Sequence, residues 1–146
     1  MSYVSLPRML ELDMDLEELA YRLNAFQGEE GTTFDALVTE ENILEVSCSN
    51  NDEFPIHITT TETQILSVSP LFTTAEVEPG NSHELNEIFL RLSPAVPLSS
   101  IGLQGSTYIL FGSMALDTRF ENIAHELEIQ AENTVDVLEA VEHLLA

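Results

Sequence analysis

The sequence predicts an α+β fold, an antiparallel sheet of about six strands with helices packed on one side. Three observations predict it. Apolar residues recur at helical spacing in three separate stretches, 15–26, 82–92 and 118–145. Between these stretches they alternate with the period of two of a half-buried strand. The alternating runs are joined by short segments of turn formers, which makes consecutive strands antiparallel neighbours. The order is α-β-β-β-β-α-β-β-α in a single domain over residues 1–146.

Residues 1–13 read as an irregular lead-in, because Pro7 opposes a long helix; Met9, Leu10 and Leu12 could pack on the body. Asp15 and Glu18 have the spacing of a capping box. Leu16, Leu19, Ala20, Leu23 and Phe26 then form one apolar helical face, and Gly28 is placed to end it. Phe34, Ala36 and Val38 alternate, as do Leu44, Val46 and Cys48 after a turn at Glu40-Glu41-Asn42. Ser49 to Asp52 is a loop of turn formers. Phe54, Ile56 and Ile58 form a third strand, with Pro55 at its start or on an edge. Gln64 to Ser69 is the fourth. Residues 70–80 carry Leu71, Phe72 and Val77 without a readable period.

Ser82 is the expected cap of a second helix bearing Leu85, Ile88, Phe89 and Leu92, which Pro94 stops. Ile101 and Leu103, a Gly105-Ser106 turn, and the run Tyr108 to Gly112 predict a hairpin whose second strand is buried on both faces. Thr118 and Glu121 form a capping box for the last helix. Its expected face is Phe120, Ile123, Ala124, Leu127, Ala131, Thr134, Val135, Leu138, Val141 and Leu145. At 1.5 Å per residue such a helix spans about 40 Å. That exceeds what a small sheet needs, leaving a surplus for a partner or a second copy, or for a bent or frayed tail.

Composition narrows the function. The chain of 146 residues is 44% apolar, enough for a real core. It has 26 Asp and Glu against four Arg and no Lys, for a net charge of −22. Nucleic acid and anionic membranes recruit Lys and Arg, so both are excluded as partners by charge. Opposite fields steer encounter, which favours a basic or amphipathic protein segment. Charge of this size also serves solubility alone. The single Cys48, in an alternating apolar run, reads as a buried inert thiol in a reducing compartment. With neither a signal peptide nor a membrane-spanning run in view, the expected location is the cytoplasm, without direct membrane insertion.

Glu121, His125 and Glu128 share a helical face, as Glu139 and His143 do, and are the metal-ligand candidates. Glu121 and His125 lie off the main apolar stripe, and acidic helices produce such pairs by chance. His57 and His83 have no evident partner in the sequence. Cys48 has no neighbouring activator, and Ser99 and Ser100 sit in no Gly-x-Ser-x-Gly elbow. Gly102, Gly105 and Gly112 lack the Gly-Lys-Ser/Thr end of a phosphate loop. No cofactor is expected, and the chain does not read as an enzyme.

The C-terminal half carries a family likeness. Pro97-Leu98-Ser99-Ser100-Ile101-Gly102, Tyr108 through Leu116, and Glu121-Asn122-Ile123 with Glu126-Leu127-Glu128 and Ala131-Glu132-Asn133 together resemble the YjfI family of uncharacterised bacterial proteins. The likeness extends through the Phe54-Pro55-Ile56 strand and the Leu16 to Phe26 helix. It implies no catalytic residues. Members of that family often sit beside phage-shock-protein-A-like proteins, so the resemblance implies such a partner, in envelope stress. The element order is similar to that of type III secretion chaperones, which are small, acidic, often dimeric, and bind client segments. Four strands before the middle helix, rather than their usual three, depart from that pattern. The expected function is therefore a chaperone-like adaptor that binds another protein, with homodimerisation through the second or last helix as a further expectation. The candidate partner-binding residues are Leu85, Ile88, Phe89, Leu138, Val141 and Leu145. The alternative is a metal-binding protein or enzyme using His125, His143 and nearby carboxylates.

Overall fold

The Asp15 side chain accepts the backbone N–H of Glu18 at 2.9 Å, which starts α1 (Leu16–Asn24). The computed structural model describes residues 15–146, so the lead-in expected over 1–13 lies outside the described residues. Leu16, Leu19, Ala20 and Leu23 are buried along one face of α1. The helix ends earlier than Gly28 would have it, with Ala25 as its cap. Phe26 lies past the end, where its ring meets Phe34 and Phe120.

Among the described residues six strands follow the expected order: β1 (Phe34–Val38), β2 (Leu44–Cys48), β3 (Asn51–Thr60), β4 (Gln64–Thr73), β5 (Ser100–Gln104) and β6 (Thr107–Ala115). They form one antiparallel sheet, ordered β1-β2-β3-β4-β6-β5. Between β4 and β5 lies α2 (Ser82–Leu92), and α3 (Phe120–Val141) closes the chain. Two strands are longer than their periodicity suggested. β3 begins at Asn51, with a bulge opposite Val46 and Cys48, and Pro55 falls between its registered pairs, where its missing N–H breaks no ladder bond. β4 runs on through Thr73 and carries a bulge between Pro70 and Phe72. Leu71 and Phe72 are consequently both buried. Beyond them, a 3-10 turn spans Thr74–Glu76, and Val77 bridges Leu145.

Three local expectations are corrected. Ser82 is the first residue of α2 rather than its cap; Asn81 precedes it and spends its side chain on the Leu144 carbonyl at 3.3 Å. The Thr118–Glu121 box does not form, because the Thr118 hydroxyl donates back to the Ala115 carbonyl at 2.6 Å, and Arg119 precedes α3. The last helix stops at Val141 after 22 residues, about 33 Å at its ordinary rise. A 3-10 turn, Glu142–Leu144, then ties the tail to the body through Glu78 N–H to the Leu144 carbonyl and Ala146 N–H to the Glu76 carbonyl. Of the alternatives expected for the surplus, the tail bends, and it bends back onto the body.

The three α-helices of the described residues lie on one face of the sheet. Along the core-facing rows Ala36, Val46, Ile56, Ile58, Ile65, Leu110 and Met114 are buried, while Leu37, Glu45, His57, Leu66 and Val68 on the alternate positions are partly or fully exposed. The core has two apolar clusters. One joins α1, β1–β3 and the first half of α3; the other joins the end of β4, β6, α2 and the second half of α3. Between them, under the middle of α3, runs a polar seam. Gln130, 2% exposed, accepts from the Ser67 hydroxyl and donates to the Ser69 hydroxyl, each at 2.8 Å. Gly112 makes room for it, because a Cβ there would stand 3.0 Å from the Ser67 hydroxyl and 3.3 Å from the Gln130 carbonyl oxygen. Among the described residues, no buried side-chain nitrogen or oxygen lacks a partner.

Candidate protein-binding surface

α2 turns one stripe into the core and leaves the adjoining stripe outside. Leu85 and Phe89 are buried and Ile88 is half-buried, whereas Leu90, one residue on and about 100° further around the helix, is 76% exposed. Leu90 faces the edge strand β5. Between the two elements lies a groove of about 270 Å³, walled by Asn86, Phe89 and Leu90 of α2, by Ile101 and Leu103 of β5, and by Tyr108 of β6. The Tyr108 hydroxyl donates to Asn86 Oδ1 at 2.6 Å, so the polar groups of the wall satisfy each other and the rest of the wall is apolar. Three of the six exposed large apolar side chains among the described residues, Leu90, Leu98 and Leu103, belong to the short stretch from α2 into β5. Leu98 holds a left-handed backbone (φ 62°), unusual for a leucine. Asn133 of α3 pins it from both sides, donating to the Pro97 carbonyl at 2.7 Å and the Ser99 hydroxyl at 3.2 Å.

The two edges of the sheet differ. At β1, Asn24 of α1 acts as a surrogate strand: its amide donates to the Ala36 carbonyl at 2.9 Å and accepts the Ala36 N–H at 2.8 Å. At β5, the Ile101 N–H points away from β6, to the Ser93 hydroxyl at 2.9 Å. Backbone groups alternate sides along a strand, so the N–H and C=O of Leu103 also point outward. The strand sequence Ser-Ile-Gly-Leu-Gln carries neither charge nor proline, the usual protections of an exposed edge.

Of the six side chains expected to meet a partner, Leu85, Phe89 and Val141 are core residues, at 0%, 4% and 0% exposure. The reason is common to all three: the apolar stripes of α2 and α3 pack on the sheet and on each other. Ile88, Leu138 and Leu145 are half-buried around the same cluster. The exposed groove residue that sequence reasoning missed is Leu90, which lies just off the stripe that the helical period picks out.

The metal-ligand candidates do share a site. Glu121, His125 and Glu128 line a second concavity, together with Glu29, Glu30 and Glu132. The Glu128 carboxylate is engaged by the Thr32 hydroxyl and lies against Gly28. Among the described residues, no group of three or more metal-ligating side chains is disposed to hold an ion. His57 does have a partner, Glu45 on the neighbouring strand at 3.4 Å, and His83 lies 3.9 Å from Glu87.

Cys48 is buried, with its thiol against the Leu127 carbonyl at 3.8 Å. Burial, and secondarily the charge of Glu128, push its pKa up to about 12. The thiolate is the reactive form, so native protein at about pH 8 is expected to resist iodoacetamide, with labelling appearing only on unfolding. Mass spectrometry with and without denaturant checks this; rapid native labelling would refute it. The folded pKa is raised above an unfolded value of about 8.5. The associated stability is therefore whole below that value and lost as pH rises toward 12.

The family profile described as "Uncharacterized protein conserved in bacteria (DUF2170)" matches residues 13–145. The chain belongs to DUF2170. The YjfI likeness is borne out: "Uncharacterized protein YjfI" of Escherichia coli (strain K12) is 27% identical over 110 residues, covering 73% of this chain and 81% of YjfI. Three solved structures share the DUF2170 chain's fold. YbjN from E. coli, described as a putative transcription regulator, superposes with a TM-score of 0.63 at 16% identity, over 92% of this chain and 93% of that one. The Yersinia pestis type III secretion chaperone SycH, solved with a stable fragment of YscM2, gives 0.51 at 18% identity, over 84% and 95%. The heterodimeric ExoU–SpcU complex of the Pseudomonas aeruginosa type III secretion system gives 0.52 at 11% identity, over 84% and 94%. The secretion-chaperone-like architecture expected from element order is thus present. Among the described residues, no helix is long and apolar enough to cross a membrane.

Proposed function

We propose that this DUF2170 chain is a non-catalytic, chaperone-like protein of the cytoplasm that holds a segment of another protein in the groove between α2 and β5. The observation that carries the reading is the groove itself: an apolar wall with Leu90 and Leu103 exposed at 76% and 54% beside an unprotected sheet edge. Apolar surface concentrated in this way marks an interaction site. The groove's only polar pair, Tyr108 with Asn86, is spent internally and offers no nucleophile and base. The net charge of −22 supports a client that is basic near its apolar residues. The solved complexes of SycH with YscM2 and of ExoU with SpcU support a client-holding role for this architecture.

A phage-shock-protein-A-like protein is the client that the YjfI likeness implies, and the first to titrate. Leu90→Asp places a charge in the groove mouth at an exposed position. It is expected to weaken client binding at least about tenfold. The melting temperature should move by no more than about 2 °C, because surface changes cost about 0.5 kcal/mol or less. Calorimetric titration of both proteins checks this. Undiminished client binding by the Leu90→Asp protein would remove the groove from the reading. Sedimentation at varied concentration tests the homodimer expected of the second helix; a dimer that Leu90→Asp dissolves would make a second copy the occupant.

A further inference from the structure

A concavity of about 460 Å³ opens at the start of α1. Its floor is apolar. Leu16 and Leu19 of α1 and Ile65 of β4 belong to the first core cluster, and Leu116, just past β6, packs against that cluster. Its rim is polar, formed by Asp15, Asn42 and the turn from Thr60 to Glu62. Two of the rim's side chains are already committed. The Asp15 carboxylate accepts the Glu18 N–H at 2.9 Å, and the Thr61 hydroxyl accepts the N–H groups of Thr63 and Gln64 at 3.2 and 3.1 Å. What the concavity offers an occupant is therefore chiefly apolar surface opening onto the core. It is distinct from the groove beside Leu90, whose Phe89 and Tyr108 belong to the second cluster.

We propose that its occupant is the chain's own segment 10–14, laid across the opening with Leu10, Leu12 and Met14 inward. Asp15 is both the cap of α1 and part of the rim, so Met14 lies one Cα step of about 3.8 Å from the opening. Counted from that cap, Leu19 is the fourth helical residue. An apolar residue just before a cap packs on the fourth helical residue in a hydrophobic staple. Met14 and Leu19 make that pair, and Leu19 is in the floor.

The sequence before Met14 suits the same surface. Leu10-Glu11-Leu12-Asp13-Met14 alternates apolar and acidic residues. In an extended backbone this puts the three apolar side chains on one side and both carboxylates on the other, toward water. Met9 falls with the carboxylates, so of the residues expected to pack on the body only Leu10 and Leu12 enter.

Connectivity favours this occupant over others. A segment tethered at the rim meets the floor at an effective concentration on the order of millimolar. A separate protein must first give up its translational freedom. A second copy would bring −22 against −22.

The test uses the whole chain. It contains no Trp, so Leu12→Trp supplies a single fluorophore. Its emission is expected to be blue-shifted from that of the unfolded protein and shielded from acrylamide. Adding Leu116→Asp to the wall should return the emission to the unfolded position. Tryptophan is larger than the leucine it replaces, so a second arm uses charge instead of size. Leu12→Asp should lower the melting temperature by about 4 °C, and Glu11→Ser, on the opposite side of the segment, by less than about 1 °C. Equal melting of these two variants overturns the proposal. A blue shift that grows with protein concentration gives the concavity to the segment of a second copy and overturns it. A tryptophan shielded only once a client protein is added gives the concavity to the client, and overturns it as well.

Discussion

Replacing Gln130 by leucine is expected to destabilise the protein by about 3 kcal/mol, although leucine has a similar volume and is the more apolar side chain. Gln130 bonds both Ser67 and Ser69 in the middle of the sheet, and its own backbone carbonyl accepts from the Thr134 hydroxyl at 2.9 Å. Without the amide, Ser67 still reaches the Gly112 carbonyl at 3.4 Å, but Ser69, fully buried, loses its partner. A buried polar group left unpaired costs about 1–3 kcal/mol, and the lost bonds add to it. Thermal unfolding should fall by about 6–12 °C for a chain of this size. Adding Ser67→Ala and Ser69→Ala to Gln130→Leu should recover stability to within about 1 kcal/mol of the original, because both sides of each bond are then gone. A triple variant no more stable than Gln130→Leu alone would show that the seam is not what the glutamine supports.

The seam also shows where sequence reasoning stopped. Periodicity finds apolar faces, and the faces of α1 and α2 emerged correctly because Leu16, Leu19, Leu23, Leu85 and Phe89 are all apolar. In α3 the buried face includes Gln130, Asn133 and Thr134. The two amides break the apolar stripe, so the expected face drifted to Val135, which is 42% exposed, and passed over Val137, which is fully buried. The strands were legible while they alternated and became illegible at the β4 bulge, where one extra residue puts Leu71 and Phe72 inward together. The acidic groups on α3 were visible as a helical set. Their shared concavity with Glu29 and Glu30 was not, because it depends on how the loop after α1 folds against α3. Leu90 was invisible for another reason: a lone exposed leucine is ordinary on any surface, and only the proximity of Leu103, remote in the helical pattern, gives it meaning.

Alanine at position 85 is therefore expected to cost about 3–4 kcal/mol, and alanine at position 90 less than about 0.5 kcal/mol. Both residues are leucines on one eleven-residue helix, so helix propensity cancels in the comparison. What differs is the surroundings. Leu85 is fully buried in the cluster with Phe89, Val137, Val141 and Leu144, where three backbone segments meet. The space left by its removal is walled by α3 and by the terminal turn, whose Leu144 carbonyl accepts from the Glu78 N–H and the Asn81 amide, so the turn cannot readily collapse into it. A cavity that stays open adds its own cost to the lost transfer energy. Denaturant unfolding of the two variants reads the difference directly, with the slope unchanged if both remain two-state. Equal stability losses would mean that α2 does not dock by the Leu85 face, and would undo the assignment of Leu90 to the surface. A large loss at Leu85 alone, with client affinity falling only for changes at Leu90, separates the stripe that builds the fold from the residue beside it that meets the partner.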